Sequence, residues 1–139
     1  MRKFQNIMRV YLTHCSAERE PLLKDSGKTA TPDALYTHPR IQEFMIRCKS
    51  MGVSWGVLSD LYDVFGSDQH QAWYEQHPDT VTQYEEDSII QAFDRALSEY
   101  DEIWFYIRPE SFHLFYGRVL KRTALADRIR TFEDIELIK

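Results

Sequence analysis

Apolar positions along the chain fall into two patterns that take turns. Short continuous runs (Val10 and Leu12 with Tyr11 and Thr13 between, Val53 to Ser59, Ile103 to Ile107, Ile135 to Ile138) read as buried strands. Between them lie segments with helical spacing. Ile41, Phe44, Met45 and Cys48 share one face of a helix over about 40–51, with Thr37 at the N-cap position, Pro39 in the first turn and Gly52 at the C-cap. Ile89, Ile90, Phe93, Ala96, Leu97 and Tyr100 line a second helix over about 83–100, and Thr82 with Glu85 has capping-box spacing. Phe112, Phe115, Tyr116, Val119 and Leu120 line a third, entered at Pro109 and ending near Arg122. Residues 1–7 read as a lead-in, and 123–134 as a polar connection.

The order β-α-β-α-β-α-β predicts an α/β fold: a three-layer α/β/α sandwich around a small, mainly parallel four-stranded sheet of order 2-1-3-4. At 139 residues a single domain, 1–139, is expected. Two connections are long: 17–39, punctuated by prolines and Gly27, and 60–82, rich in aromatic and polar residues. Long loops of this kind are often functional.

The chain is 43% hydrophobic and 14% aromatic, which excludes the disordered class. A net charge of −5 argues against broad nucleic-acid wrapping, which needs phosphate neutralisation by Lys and Arg, and leaves room only for local contact with one nucleotide. Acids dominate 75–102 and bases 118–130; these are two solvated helix faces or, for the basic run, a phosphate-facing edge. Two cysteines in a chain of this size do not point to a disulfide framework, the Met1-Arg-Lys-Phe start lacks a signal-peptide core, and no apolar run is long enough for a membrane span. A cytoplasmic setting is expected.

In an open parallel sheet, ligands bind beyond the carboxyl ends of the strands. The first strand delivers Thr13, His14, Cys15 and Ser16 to that edge, the second Ser59, Asp60 and Tyr62, and the third Arg108, Glu110 and Ser111. Cys15 is the candidate nucleophile, since a thiolate beside cations is reactive. His14 points to the opposite face from Cys15, so His38 or His70 would serve better as its partner. Cys48, on an apolar helix face, reads as a small buried hydrophobe. His70 and His77 lack close metal-ligand spacing, and no metal or cofactor is expected. Trp73 and Tyr74 would stack on a planar ligand or anchor their loop. No P-loop, GxGxxG or GxSxG pattern is present.

The segments His14-Cys15-Ser16-Ala17-x-Arg19, Leu35-Tyr36-Thr37-x-x-Arg40 and Val57-Leu58-Ser59-x-x-Tyr62-Asp63 resemble a set of small bacterial and archaeal α/β domains. Those domains carry a Cys-Ser-x-x-Lys start, a Leu-Tyr-x-Ser middle and a Leu-Ser-Ala-x-Tyr-Gly segment. The pattern is more distantly similar to the core domain of archaeosine synthase, which modifies a 7-deazaguanine base in tRNA. The resemblance spans about residues 8–70, with Arg19 in place of Lys, Thr37 of Ser, and Asp60 and Asp63 of Ala and Gly. It implies a pocket lined by Cys15, Ser16, Arg19, Tyr36, Thr37, Ser59 and Tyr62; the strand ends add His14, Arg108 and Ser111. Ser, Thr and Tyr hydroxyls and an Arg fork suit a planar, hydrogen-bonding ligand. The expected function is binding or acting on a nucleobase or nucleotide, with tRNA modification as one form of it. The alternatives are a non-catalytic nucleotide-binding module and a protein-interaction subunit docking through loop 60–82.

Overall fold

A computed structural model describes residues 7–139, so the expected lead-in falls almost wholly outside the described residues. The centre is β1 (Arg9–His14), flanked in parallel by β3 (Trp55–Ser59) and β6 (Glu102–Tyr106). Neighbours on both sides and helices on both faces bury Val10 through His14, which is why this strand reads as a continuous run. Thr13 faces α2 (Pro39–Met51), whose Phe44 stacks on Tyr106 with ring centroids 5.8 Å apart. The opposite face meets α3 (Gln83–Leu97) and α4 (Leu114–Arg122): Phe93 and Leu97 enter the core from α3, and Tyr116 of α4 stacks on His14.

The fold is therefore α/β with a mostly parallel central sheet, but its strand count and order differ from expectation. The sheet has five strands in the order β4-β3-β1-β6-β7. β4 (Asp63–Gly66) is an antiparallel edge strand that folds straight back on β3, pairing Asp63 with Ser59. The tight return is made by Asp63 in the left-handed region at φ 51°, a conformation Asp tolerates better than most residues, without the Asn-Gly or Asp-Gly signal that marks a hairpin. The last strand, β7, is Ile129–Phe132, inside the expected polar connection, and Ile135–Leu137 is a 3-10 turn. Arg130 in β7 lies over the Trp104 ring at 4.9 Å, so a charged position there still packs on the sheet.

Helix boundaries follow their caps. Gly52 closes α2 at φ 65°, and Thr82 and Glu85 form the reciprocal capping box of α3. The cap of α2 is His38 rather than Thr37, because its imidazole Nδ1 accepts from the Arg40 backbone N–H. The helix expected from Pro109 is split. Pro109–Ser111 form a separate 3-10 turn, and α4 starts after His113, whose Nδ1 accepts from Phe115 N–H. The acidic and basic stretches meet each other: Arg118 and Arg122 of α4 bond Glu86 of α3 at 2.8 and 2.6 Å. Those two arginines therefore do not form a phosphate-facing edge.

The two long connections are pinned together above the strand ends. Residues Thr29–Ala30 (β2) and Gln71–Ala72 (β5) form a small antiparallel pair, and a short helix, α1 (Pro32–Leu35), follows the first of them. No helix among the described residues is long and apolar enough to cross a membrane. Replacing Thr82 by Ala removes one half of the α3 capping box and is expected to lower the unfolding free energy by about 1 kcal/mol. Urea denaturation measures it, and an unchanged midpoint would show that the cap contributes nothing.

Candidate functional site

The parallel ladder runs one residue past β1. Cys15 N–H donates to Leu58 O at 3.0 Å, which holds the thiol just beyond the sheet edge. Asp60, the residue after β3, comes alongside, with its Oδ1 3.7 Å from Cys15 Sγ. From the other side Tyr116 of α4 brings its hydroxyl to 3.0 Å from the same sulfur. These groups, with His14, Arg19 and Arg40, line a cavity of about 200 Å³.

Two buried arginines approach this cavity. Arg40, from the first turn of α2, donates to Thr13 Oγ1 at 2.7 Å and to His14 O at 2.9 Å. Arg19 donates to Tyr74 O at 2.7 Å and lies over the Tyr74 ring at 3.7 Å. Neither has a carboxylate partner among the described residues. A buried cation held only by neutral acceptors keeps its charge available to an incoming anion.

Burial sets the protonation states. It drives the His14 pKa down to about 3, helped by the nearby Arg40 charge, so the imidazole is neutral. It pushes the Cys15 thiol up, with the Asp60 charge adding to the effect, and it raises the Asp60 carboxyl. Cys15 at rest is thus a thiol, not the thiolate expected of a nucleophile among cations. His14 and Cys15 do not point to opposite faces as expected: the imidazole packs on the Tyr116 ring with centroids 5.1 Å apart, the thiol meets the hydroxyl of the same tyrosine at 3.0 Å, and both residues line the cavity.

Among the described residues, three buried polar atoms that belong to cavity-lining residues have no hydrogen-bond partner: His14 Nε2, Arg19 Nε and Asp60 Oδ2. Each such atom costs about 1–3 kcal/mol when left unpaired. Trp73 Nε1 is also unpaired among the described residues, and its residue lies outside this lining. Unpaired buried groups call for an explanation, and here three of them belong to the residues of one cavity.

Of the residues expected at the site, His14, Cys15, Ser16, Arg19 and Ser111 line the cavity. Tyr36, Thr37, Ser59, Tyr62 and Arg108 do not. Tyr36 and Ser59 bond the Tyr74 hydroxyl at 2.8 and 3.1 Å, making a buried polar knot beneath the loop. Tyr62 donates to Ala72 O, Thr37 N–H donates to Glu18 O, and Arg108 bonds the Tyr106 hydroxyl. Tyr36, Ser59 and Tyr62 tie the loops through their hydroxyls, Thr37 does so through its backbone, and Arg108 is exposed beside Tyr106. His38 lines the cavity while capping α2, whereas His70 does not line it. Cys48 is wholly buried in the core, where its thiol is pushed up to about 12. Asp60, expected at the strand edge though not as a ligand contact, lines the cavity, and the residues that sequence reasoning did not bring there are Arg40, Tyr116, His77 and His113. One signal was available: Arg40 stands four residues before Phe44 on the same apolar stripe, a place where a charge needs an explanation.

Fold and site together describe an α/β domain with a polar cavity at the carboxyl edge of its parallel strands. Comparison of the chain with protein-family models, with curated proteins and with solved structures finds no match. The likeness to 7-deazaguanine-modifying domains therefore rests on the quoted residues alone.

Two predictions follow from the buried charges. In alkylation across pH, Cys15 is expected to titrate above the free-thiol value of about 8.5. Asp60→Asn, which removes a nearby negative charge, should lower that value and speed the reaction, while Cys48 stays inert. A fast Cys15 below the free-thiol value would contradict the assignment. His14 supplies the second. The unfolded histidine takes up a proton below 6.5 and the folded one only near 3, so its contribution to stability is complete above pH 6.5 and is lost as pH falls through that interval. His14→Gln should flatten the slope of unfolding free energy against pH there; equal slopes in the two proteins would refute it.

Proposed function

We propose that the cavity binds a single nucleobase-sized ligand, as a base or as part of a nucleotide. The observation that carries this reading is that three residues lining one cavity, His14, Arg19 and Asp60, each keep a buried polar atom without a partner among the described residues. A planar heterocycle with donors and acceptors on its edge supplies partners to all of them. When ionised, the Asp60 carboxylate accepts only, which suits a ring presenting adjacent N–H groups, as guanine and 7-deazaguanine do. Arg40 and Arg19, both without a carboxylate partner, suit the anionic phosphate of a nucleotide. The volume of about 200 Å³ lies below the range of about 300–1,000 Å³ usual for drug-sized ligands. One ring system fits that size better than a dinucleotide.

On the catalytic form of this reading, Cys15 Sγ adds to an electrophilic carbon of the bound base. The S–H bond breaks and its proton passes to Asp60 Oδ1, 3.7 Å away, while a new S–C bond forms. The π pair of the attacked C=N bond moves onto its nitrogen, and that nitrogen takes the proton back from Asp60, a net addition of S–H across C=N. Tyr116, 3.0 Å from the sulfur, positions the thiol. If the base belongs to tRNA, the net charge of −5 favours contact confined to that nucleotide. Docking through loop 60–82 gains no support from its two expected anchors: Tyr74 is buried at 6% exposure and Trp73 packs against the core.

Isothermal titration with guanine, 7-deazaguanine, GMP and AMP tests the proposal. The guanine-type ligands are expected to bind, and Asp60→Asn to weaken them at least about tenfold, equivalent to about 1.4 kcal/mol. Arg40→Lys should weaken GMP more than guanine. No heat from any of these ligands with wild type, or equal affinity in Asp60→Asn, would overturn it.

A further inference from the structure

We propose that His77, Asp79 and His113 form a site for a divalent transition-metal ion at the mouth of the cavity. The three residues come from places far apart in the chain: the turn at 77–80 and the residue preceding α4. Their candidate ligand atoms all lie within 4.8 Å of one another. Asp79 Oδ1 is 2.7 Å from His113 Nε2, and Asp79 Oδ2 is 3.3 Å from His77 Nδ1. Such separations suit atoms sharing one small cation, whose bonds to imidazole nitrogen and carboxylate oxygen are about 2.0–2.2 Å.

Hydrogen bonds hold the cluster in place. His77 Nδ1 accepts from Asp79 N–H at 3.1 Å, and Asp79 Oδ2 lies 3.3 Å from the same nitrogen. A cation between that nitrogen and the carboxylate bonds both. Asp79 has no Lys or Arg partner among the described residues, which leaves its charge for the metal.

Two imidazoles and one carboxylate are the ligand set of zinc, iron and nickel, not of calcium or magnesium, which take oxygen ligands. Three protein ligands leave coordination positions open, as in catalytic rather than structural sites. His77 and His113 both line the cavity, so an open position there is accessible to whatever the cavity holds. Binding displaces the proton that His113 Nε2 shares with Asp79. With the metal on Nε2 the imidazole proton sits on Nδ1, so the bond that Nδ1 accepts from Phe115 N–H is given up. The site stands independently of the nucleobase reading, since the metal alone is the probe.

The experiment is titration of the whole protein with Zn²⁺, read by calorimetry and by competition with a chromogenic chelator, and with Co²⁺, read by its visible spectrum. One equivalent should bind. His77→Asn and His113→Asn keep a side-chain oxygen that can cap the following turn but lack the imidazole nitrogen. Each is expected to weaken binding by more than about tenfold, a loss that outer-shell partners alone can cause, with the far-ultraviolet circular dichroism unchanged. Asp79→Asn should do the same. Absence of stoichiometric binding overturns the proposal, as does wild-type affinity in all three variants, which would place the metal elsewhere.

Discussion

The Arg40 guanidinium is the interaction on which the rest of the site depends. It is buried under the first turn of α2, holds Thr13 Oγ1 and the His14 carbonyl, and has no carboxylate beside it. Thr13 Oγ1 in turn donates to Tyr106 O across the sheet at 2.9 Å. One side chain thus fixes the end of the central strand, the start of a helix and the neighbouring strand. Dehydrating a guanidinium is costly unless its donors are met, and here neutral oxygens meet several of them. What those oxygens do not supply is a compensating charge. The same arrangement that locks the end of β1 therefore leaves a positive potential at the cavity.

A second layer of constraint keeps the cavity open. Arg19 ties the first long connection to the second through Tyr74 O, and the Tyr74 hydroxyl sits between Tyr36 and Ser59. The hydroxyls that resemble ligand-binding groups in sequence are consumed in this knot. Because they satisfy one another, they hold the loop backbone at a set height above the sheet. His14 Nε2 and Asp60 Oδ2, on residues that line the cavity, are left buried without partners among the described residues. Function is read from what is left unpaired after the structure has met its own needs.

Much of the fold is visible in the order of residues. Continuous apolar runs mark the buried parallel strands β1, β3 and β6, and the stripes and caps mark α2 and α3, because burial on both faces and a 3.6-residue period leave local traces. β4 and β7 leave weaker traces. β4 follows a return built on Asp63, and β7 carries Arg130, whose packing on Trp104 appears only once the strands are side by side. At the site, the strand-end residues Cys15, His14 and Ser16 are legible because a parallel sheet presents its carboxyl ends together.

The sequence by itself determined the α/β class, the edge at which polar residues would collect and the cysteine at its centre. Tertiary structure decided which side chains face the opening. Tyr36, Ser59 and Tyr62 turned inward to bond other loop groups, while Arg40, Asp60, Tyr116, His77 and His113 came in from five separate stretches of chain. It also decided the protonation of Cys15, since that depends on burial and on a carboxyl 45 positions away. Periodicity reports which face of an element is apolar; which polar groups remain without partners is a property of all the contacts together.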